Sequence, residues 1–212
     1  MKVSVIGTGR MGSRLARALS QSSGKEVLWG SREPERARRL AEEMELSGVR
    51  AVDPREALEA DVVVHALWFR DVLPWAEAHR DALAGKIVVD IVNPFNDDFD
   101  DYTLPWGASA AEELQRALPQ SRVVGAFKNT FWTVFDKPVH EGLTSDVYVT
   151  SDDEAARRTV LELLRGLPFR ALDAGALRNN RTIERMTLFE REMAIRHGHP
   201  GYVSFRLFGV PG

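Results

Sequence analysis

A short apolar run near the N-terminus, Lys2 to Ile6, passes directly into Gly7-Thr8-Gly9-Arg10-Met11-Gly12, after which apolar residues recur with helical spacing at Met11, Leu15, Ala18 and Leu19. That order is strand, glycine turn, helix. In such a turn the first glycine permits the reversal, the second lets backbone approach a pyrophosphate, and the third lets helix lie against strand. The free N–H groups of the helix N-terminus meanwhile face the anion. The pattern predicts a dinucleotide site in which Gly7, Thr8, Gly9, Arg10, Met11 and Gly12 surround the phosphates, against the plainer reading of an ordinary glycine turn.

The rest of the chain alternates short Val/Ile-rich runs with helical stripes. Strand-like runs are Lys2 to Ile6, Lys25 to Trp29, Val49 to Val52, Asp61 to Ala66, Lys86 to Val92, Arg122 to Ala126, Asp146 to Thr150 and Phe169 to Leu172. The alternation predicts an α/β fold of Rossmann type, a doubly wound, mostly parallel sheet holding all eight, with a small helical C-terminal extension. Asp53 before Pro54 and Glu56, Ser109 before Glu112, and Ser151 before Glu154 each read as the cap of a helix. The longest unpatterned stretch, Asn93 to Gly107, is expected to be a functional or mobile loop. A dinucleotide-binding unit would occupy residues 1–140, leaving 141–212 as an extension that completes an acceptor cleft and a dimer interface.

Composition closes several routes. The chain has no cysteine, which excludes a disulfide-stapled scaffold, and 28 basic against 31 acidic residues, which argues against a grip on nucleic acid or an anionic membrane. No apolar run approaches the length of a membrane span and no leader pattern precedes Lys2, so a cytoplasmic protein is expected.

Which dinucleotide binds depends on the end of the second strand. An enzyme preferring NAD places a carboxylate there for the ribose hydroxyls; a 2′-phosphate instead requires cations and hydroxyls. Here the run ends Trp29-Gly30-Ser31-Arg32, with Arg36, Arg38 and Arg39 following. Ser31, Arg32 and Arg36 therefore predict NADP, Arg38 and Arg39 reading better as a solvated helix face. Glu33 is the one contrary group, and its position suits the first turn of a helix.

With these residues in view the chain resembles the NADP-dependent reductases related to the deazaflavin (coenzyme F420):NADP oxidoreductases. The likeness runs through Gly30-Ser31-Arg32, Gly85 to Asp90 leading to Asn93-Pro94, Ser109 to Glu113, Val123 to Phe127, and Leu172 to Leu177 with Asn179 and Arg181. It implies NADP across the strand ends, phosphates at Thr8 to Met11 and the 2′-phosphate at Ser31 and Arg32. Leu67 and Trp68 would border the nicotinamide, with Asn93 and Pro94 also on the cofactor. The acceptor cleft would be closed by Lys128 to Trp132 and Tyr202 to Phe208.

Hydride transfer between two flat rings asks little of a protein beyond a dry slot that holds them face to face. Carbonyl reduction asks for a proton donor too, and none of Tyr102, Tyr148 and Tyr202 has a lysine four residues later. Aromatic residues after the fourth and sixth strands favour a planar acceptor, although they could equally be core. Asp97, Asp98, Asp100 and Asp101 lack the pattern of a calcium loop, and His197 and His199 lack a third ligand, so no metal is assigned. Glu190 falls in the apolar stripe of the last helix, Asn179 to His197. It is expected either to pair with an arginine such as Arg181 or to serve the acceptor cleft as a proton relay or ligand anchor.

The resulting expectation is an NADPH-dependent oxidoreductase that passes hydride to a planar acceptor, deazaflavin F420 or a flavin, and works as a homodimer. One alternative is an imine or other small-molecule reductase, with Lys128 and Asn129 holding the substrate. The other is a non-catalytic NADPH sensor.

Overall fold

A computed structural model describes residues 1–23, 26–199 and 203–210. In chain order the elements are β1 (Val3–Ile6), α1 (Arg10–Ser23), β2 (Val27–Gly30), α2 (Pro34–Glu43), β3 (Val49–Val52), α3 (Pro54–Ala57), β4 (Val62–His65), α4 (Phe69–Ala78), α5 (Arg80–Leu83), β5 (Ile87–Asp90), α6 (Ala110–Ala117) and β6 (Arg122–Gly125). A 3-10 turn (Trp132–Phe135), β7 (Val139–His140), β8 (Leu143–Thr144), β9 (Asp146–Val149), α7 (Glu154–Leu164), β10 (Arg170–Asp173), a second 3-10 turn (Leu177–Asn179) and α8 (Asn180–Arg196) follow.

β1, β2, β4 and β5 read VSVI, VLWG, VVVH and IVVD and are buried along their whole length, as strands covered on both faces must be. Alternation along each strand divides the side chains between two cores. Val3, Val5, Trp29, Val62, Val64 and Val89 pack with Leu15 and Leu19 of α1 and Leu163 of α7. On the other face Leu28, Val63, Val88 and Val123 pack with Leu83 and Leu114. Each such leucine removed from water is worth roughly 1.5–3 kcal/mol. The central sheet is parallel with order β3-β2-β1-β4-β5-β6. That order reverses between β1 and β4, so a crevice opens there at the carboxyl ends of the strands.

The sheet holds six of the eight expected runs. β9 and β10 instead form their own parallel pair, Asp146 opposite Arg170, joined to the end of β6 by an antiparallel bridge from Gly125 to Thr150. Reversed direction at that bridge prevents β9 from extending the parallel ladder. Val147 and Val149 nevertheless share the first core with β1. The run expected from Lys25 begins at Val27, Lys25 itself lying outside the described residues.

Two of the three expected caps form. Asp53 accepts from the Arg55 and Glu56 amides, and Ser109 accepts from the Glu112 amide while its hydroxyl donates to the Glu112 carboxylate. The third shifts: Asp153, not Ser151, accepts the Ala156 amide at 2.7 Å. Ser151 is taken by the sheet, its hydroxyl donating to the Val123 carbonyl at 2.7 Å. Asn93 to Gly107 folds back on itself through a Phe95–Tyr102 bridge, with Phe99 at φ +58° at its tip.

Candidate cofactor and acceptor site

The three glycines of the first turn do different work. Gly7 has φ +112°, and a side chain there would meet the Ala66 carbonyl at 2.9 Å, so β1 can pass this close to β4 only with glycine. At Gly12 an added Cβ would lie 2.1 Å from the Gly7 carbonyl oxygen, which forbids any larger residue where α1 meets the turn. Gly9 differs: nothing lies within 4 Å of its would-be Cβ. The space beside it is open, at the N-terminus of a 14-residue helix with no acid in its first turn. An anion fits there.

The turn is tied to the end of β2. The Gly7 amide donates to the Gly30 carbonyl at 3.0 Å, and the buried Trp29 indole donates to the Gly7 carbonyl at 2.9 Å. Gly30 is required because a Cβ would approach that of Ala57 to 2.7 Å. Ser31 follows, buried, its oxygen accepting the Glu33 amide at 3.1 Å, which leaves the hydroxyl hydrogen free to donate. Arg32 and Arg36 are exposed, and their side chains make no hydrogen bond or ion pair among the described residues. Glu33 is the residue before α2 and caps nothing with its side chain. A hydroxyl and two uncommitted guanidinium groups thus stand where a carboxylate would select NAD.

Beneath the ends of β4, β5 and β6 lies a buried ionic cluster. Lys128 Nζ is 2.6 Å from Asp90 Oδ2 and 3.1 Å from Glu184 Oε1, and it also donates to the Val92 carbonyl. His65 Nε2 is 3.0 Å from Asp90 Oδ1. Glu184 also receives the Ala110 amide at 3.0 Å, so one carboxylate of α8 ties Lys128 to the N-terminus of α6. Burial raises the cost of ionising Asp90, but Lys128 and His65 outweigh it and hold the carboxyl down at about 2. Burial likewise opposes the charge on Lys128, and Asp90 with Glu184 more than compensates, so its pKa is raised. Glu184 is raised because burial prevails over the pull of Lys128.

This cluster gives Lys128 a supporting place. Its three N–H donors are occupied and its side chain has no exposure, so it has none left for a ligand. Its carbonyl is used as well, accepting from Asn93 Nδ2 at 2.7 Å and from the Thr187 hydroxyl. Asn129 is buried and clamps β9, donating to the Asp146 carbonyl at 2.8 Å. Phe127, at φ +54°, makes this turn possible; its ring packs on Phe135 and Phe169 at centroid distances of 5.3 and 5.7 Å. These three rings are core.

Among the polar atoms that are buried without a hydrogen-bond partner among the described residues are Asn93 Oδ1 and the Thr130 hydroxyl, near the same strand ends. Because the Lys128 carbonyl can only accept, the Asn93 amide orientation is fixed and its oxygen is the free atom. Leu67 and Trp68 follow Ala66, which touches Gly7, and Trp68 is 56% exposed at the mouth of the crevice. Pro94 is buried next to Asn93.

Glu190 does not pair with Arg181. Nine residues along a helix is half a turn out of phase, so the two point to opposite sides. Arg181 reaches Glu112 at 2.6 Å, whereas both Glu190 oxygens are buried with no partner among the described residues and burial pushes the carboxyl well above its usual range. Of the C-terminal segment expected at the cleft, Tyr202 lies outside the described residues. Residues 203–210 meet the start of β9, where the Phe205 carbonyl accepts the Asp146 amide and the Leu207 amide donates to the Asp146 carboxylate.

His65, Asp90 and Glu184 fall outside the site residues expected from the sequence, whereas Thr130 lies within the expected segment Lys128 to Trp132. His65 and Asp90 carried a usable signal, since each ends an otherwise apolar strand.

The chain is similar to several known proteins. Residues 2–94 match the family described as NADP oxidoreductase, coenzyme F420-dependent. The F420-dependent NADP reductase of Methanocaldococcus jannaschii is 32% identical over 207 residues, covering 88% of this chain and 89% of that one. The crystal structure of a candidate F420-dependent NADP-reductase from Arthrobacter sp. FB24 superposes with a TM-score of 0.82 at 27% identity, over 98% and 99% of the two chains. The imine reductase BcSIRED of Bacillus cereus, at 20% identity and a TM-score of 0.62 over 92% of this chain and 60% of that one, shares the fold.

Proposed function

Because this chain belongs to the coenzyme F420-dependent NADP oxidoreductase family, we propose that it moves a hydride between NADP(H) and a planar redox acceptor, a deazaflavin of the F420 type first and a flavin second. The observation that carries the reading is the open space at Gly9 on the N-terminus of α1, flanked by Ser31 and the uncommitted Arg32 and Arg36. Thr8 to Met11 would hold the pyrophosphate and Ser31, Arg32 and Arg36 the 2′-phosphate. Asn93 Oδ1 and the Thr130 hydroxyl would take polar groups at the nicotinamide end, beside Leu67 and Trp68. When bound, NADPH supplies the hydride from its nicotinamide ring.

The remaining candidates divide by their contacts. Lys128 and Asn129 act as positioning residues, the first by presenting its carbonyl to Asn93 and the second by fixing β9. Glu190 is the buried carboxyl left able to hold a proton near the acceptor. Residues 1–140 form the cofactor-binding part of this reading and 141–212 the part that completes the acceptor cleft. Phe189 and Ile195, exposed on α8 at 57% and 60%, would form the seam of a homodimer, which sedimentation would detect. A cytoplasmic setting belongs to the same reading; among the described residues no helix is long and apolar enough to cross a membrane.

The experiment is oxidation of NADPH against a panel of deazaflavin, flavin, ferric chelate and cyclic imine. Fastest turnover with the deazaflavin is expected. Preference for the imine would favour the small-molecule reductase, and tight NADPH binding with no oxidation by any acceptor would favour a sensor.

A further inference from the structure

Two guanidinium groups share one indole where α1 meets the segment that leaves β6. Arg10 opens α1 and Arg14 lies four residues on, so both side chains project from one face of the helix. Trp132 opens the 3-10 turn Trp132–Phe135, and its ring centroid stands 5.0 Å from the Arg10 guanidinium carbon and 4.5 Å from that of Arg14. Arg14 is fixed from a second side. Asp136, which ends the same turn, accepts Arg14 Nε at 3.1 Å and Nη2 at 2.6 Å, while Arg14 Nη1 donates to the Arg10 carbonyl at 3.3 Å. The carboxylate thus fixes Arg14, and Arg14 in turn fixes the ring.

Arg10 is held differently. It is exposed, and among the described residues its side chain makes no hydrogen bond or ion pair, only the contact with the indole. A contact with a ring face draws on the positive charge and consumes none of the five N–H donors. Trp132 therefore orients Arg10 without using it up. Arg10 follows Gly9, beside which the space is open, and no acid in the first turn of α1 competes for the guanidinium. A long exposed side chain loses rotamer freedom when it meets an anion, and a ring that restricts it beforehand lowers that cost.

We propose that Trp132 is a positioning residue for the cofactor: it holds the Arg10 guanidinium ready at the Gly9 turn, where its donors meet the pyrophosphate. This rests on the NADP(H) reading above and extends it to a residue that acts through another. Trp132 also shares its segment with Thr130, whose hydroxyl is buried without a partner among the described residues. One short stretch after β6 thereby serves the cofactor in two places, the pyrophosphate through Trp132 and Arg10 and the nicotinamide end through Thr130.

The test is a double-mutant cycle read by equilibrium binding of NADPH at low ionic strength. Trp132→Leu keeps apolar bulk and deletes the ring face, Trp132→Phe keeps a ring, and Arg10→Gln deletes the charge of an exposed side chain; Trp132→Met replaces Trp132→Leu should the latter not fold. Arg10→Gln should weaken NADPH about fivefold, the upper range for an exposed charge pair, and less in high salt. Trp132→Leu should weaken it about threefold, the weight of one exposed cation–π contact, and Trp132→Phe less than twofold. The double variant should bind no more weakly than Arg10→Gln alone, because the ring acts only through the arginine. Adenosine 2′-phosphate, which lacks the pyrophosphate, should bind Trp132→Leu as it binds the parent. Unchanged NADPH affinity in Trp132→Leu, losses that add in the double variant, or an equal loss for adenosine 2′-phosphate would overturn the positioning role and leave the cofactor reading standing. Failure of the parent to bind NADPH would overturn both.

Discussion

Lys128→Met keeps the length of the side chain and deletes its ammonium group, which isolates what the buried cluster contributes. Removing one member of such a pair leaves the other charge desolvated and typically costs about 3–5 kcal/mol. Part of this can be worked from Asp90 alone. Its carboxyl is held at about 2 against an ordinary 3.8. A difference of nearly two units is worth about 2 kcal/mol at neutral pH. Since the folded value lies below the unfolded one, this stabilisation is complete above about pH 4 and disappears as the pH falls towards 2.

In the variant the sign reverses. Without the ammonium, burial dominates and lifts Asp90 above its unfolded value, and it lifts Glu184 further. A raised folded pKa gives stability that is present below the unfolded value and lost as the pH rises. The gap between parent and variant should therefore be widest at pH 7 and narrow on acidification to pH 4. Urea unfolding followed by circular dichroism at the two pH values measures it, with an unchanged slope as the control for two-state behaviour. A loss below about 1 kcal/mol at pH 7, or a gap that does not change with pH, would refute the account of the cluster given above.

Gly9→Ala and Gly12→Ala should separate binding from folding. The first places a methyl in open space, so its melting temperature stays put while NADPH affinity drops at least about tenfold; the second drives a Cβ onto the Gly7 carbonyl and lowers the melting temperature. Arg32→Ala should weaken NADPH far more than NADH in a fluorescence titration, and equal losses would mean that Arg32 does not read the 2′-phosphate. Burial raises the Glu190 carboxyl, so its stabilising effect is present at low pH and lost as the pH climbs through the folded value. Glu190→Gln should thus gain stability relative to the parent on going from pH 5 to pH 9. Lower turnover at unchanged NADPH affinity would give Glu190 a part in chemistry, and unchanged turnover would leave it structural.

Much of this fold can be read along the chain because its signals are local. VSVI, VLWG, VVVH and IVVD are unbroken apolar runs, and a strand buried on both faces needs no others. Asp53 and Ser109 cap helices through amides two or three residues away. Local signals mislead where distant segments compete for one group. Ser151 reads as a cap, yet the Val123 carbonyl takes its hydroxyl and Asp153 moves into the role. β9 and β10 look like two more strands of one sheet, because an apolar run does not encode the direction of its neighbour. The Arg181–Glu190 pairing could have been rejected from helical phase alone.

The sequence by itself determined the glycine turn, the apolar runs that become strands and the hydroxyl and arginines that follow β2, since each rests on residues adjacent in the chain. Only the tertiary structure decided what becomes of Lys128. Asp90 arrives on β5, His65 on β4 and Glu184 on α8, 56 residues further along the chain from the lysine they enclose. No periodicity links such positions. Their meeting depends on the order of the strands and the packing of the last helix, and burial then turns a candidate ligand into a saturated ammonium group.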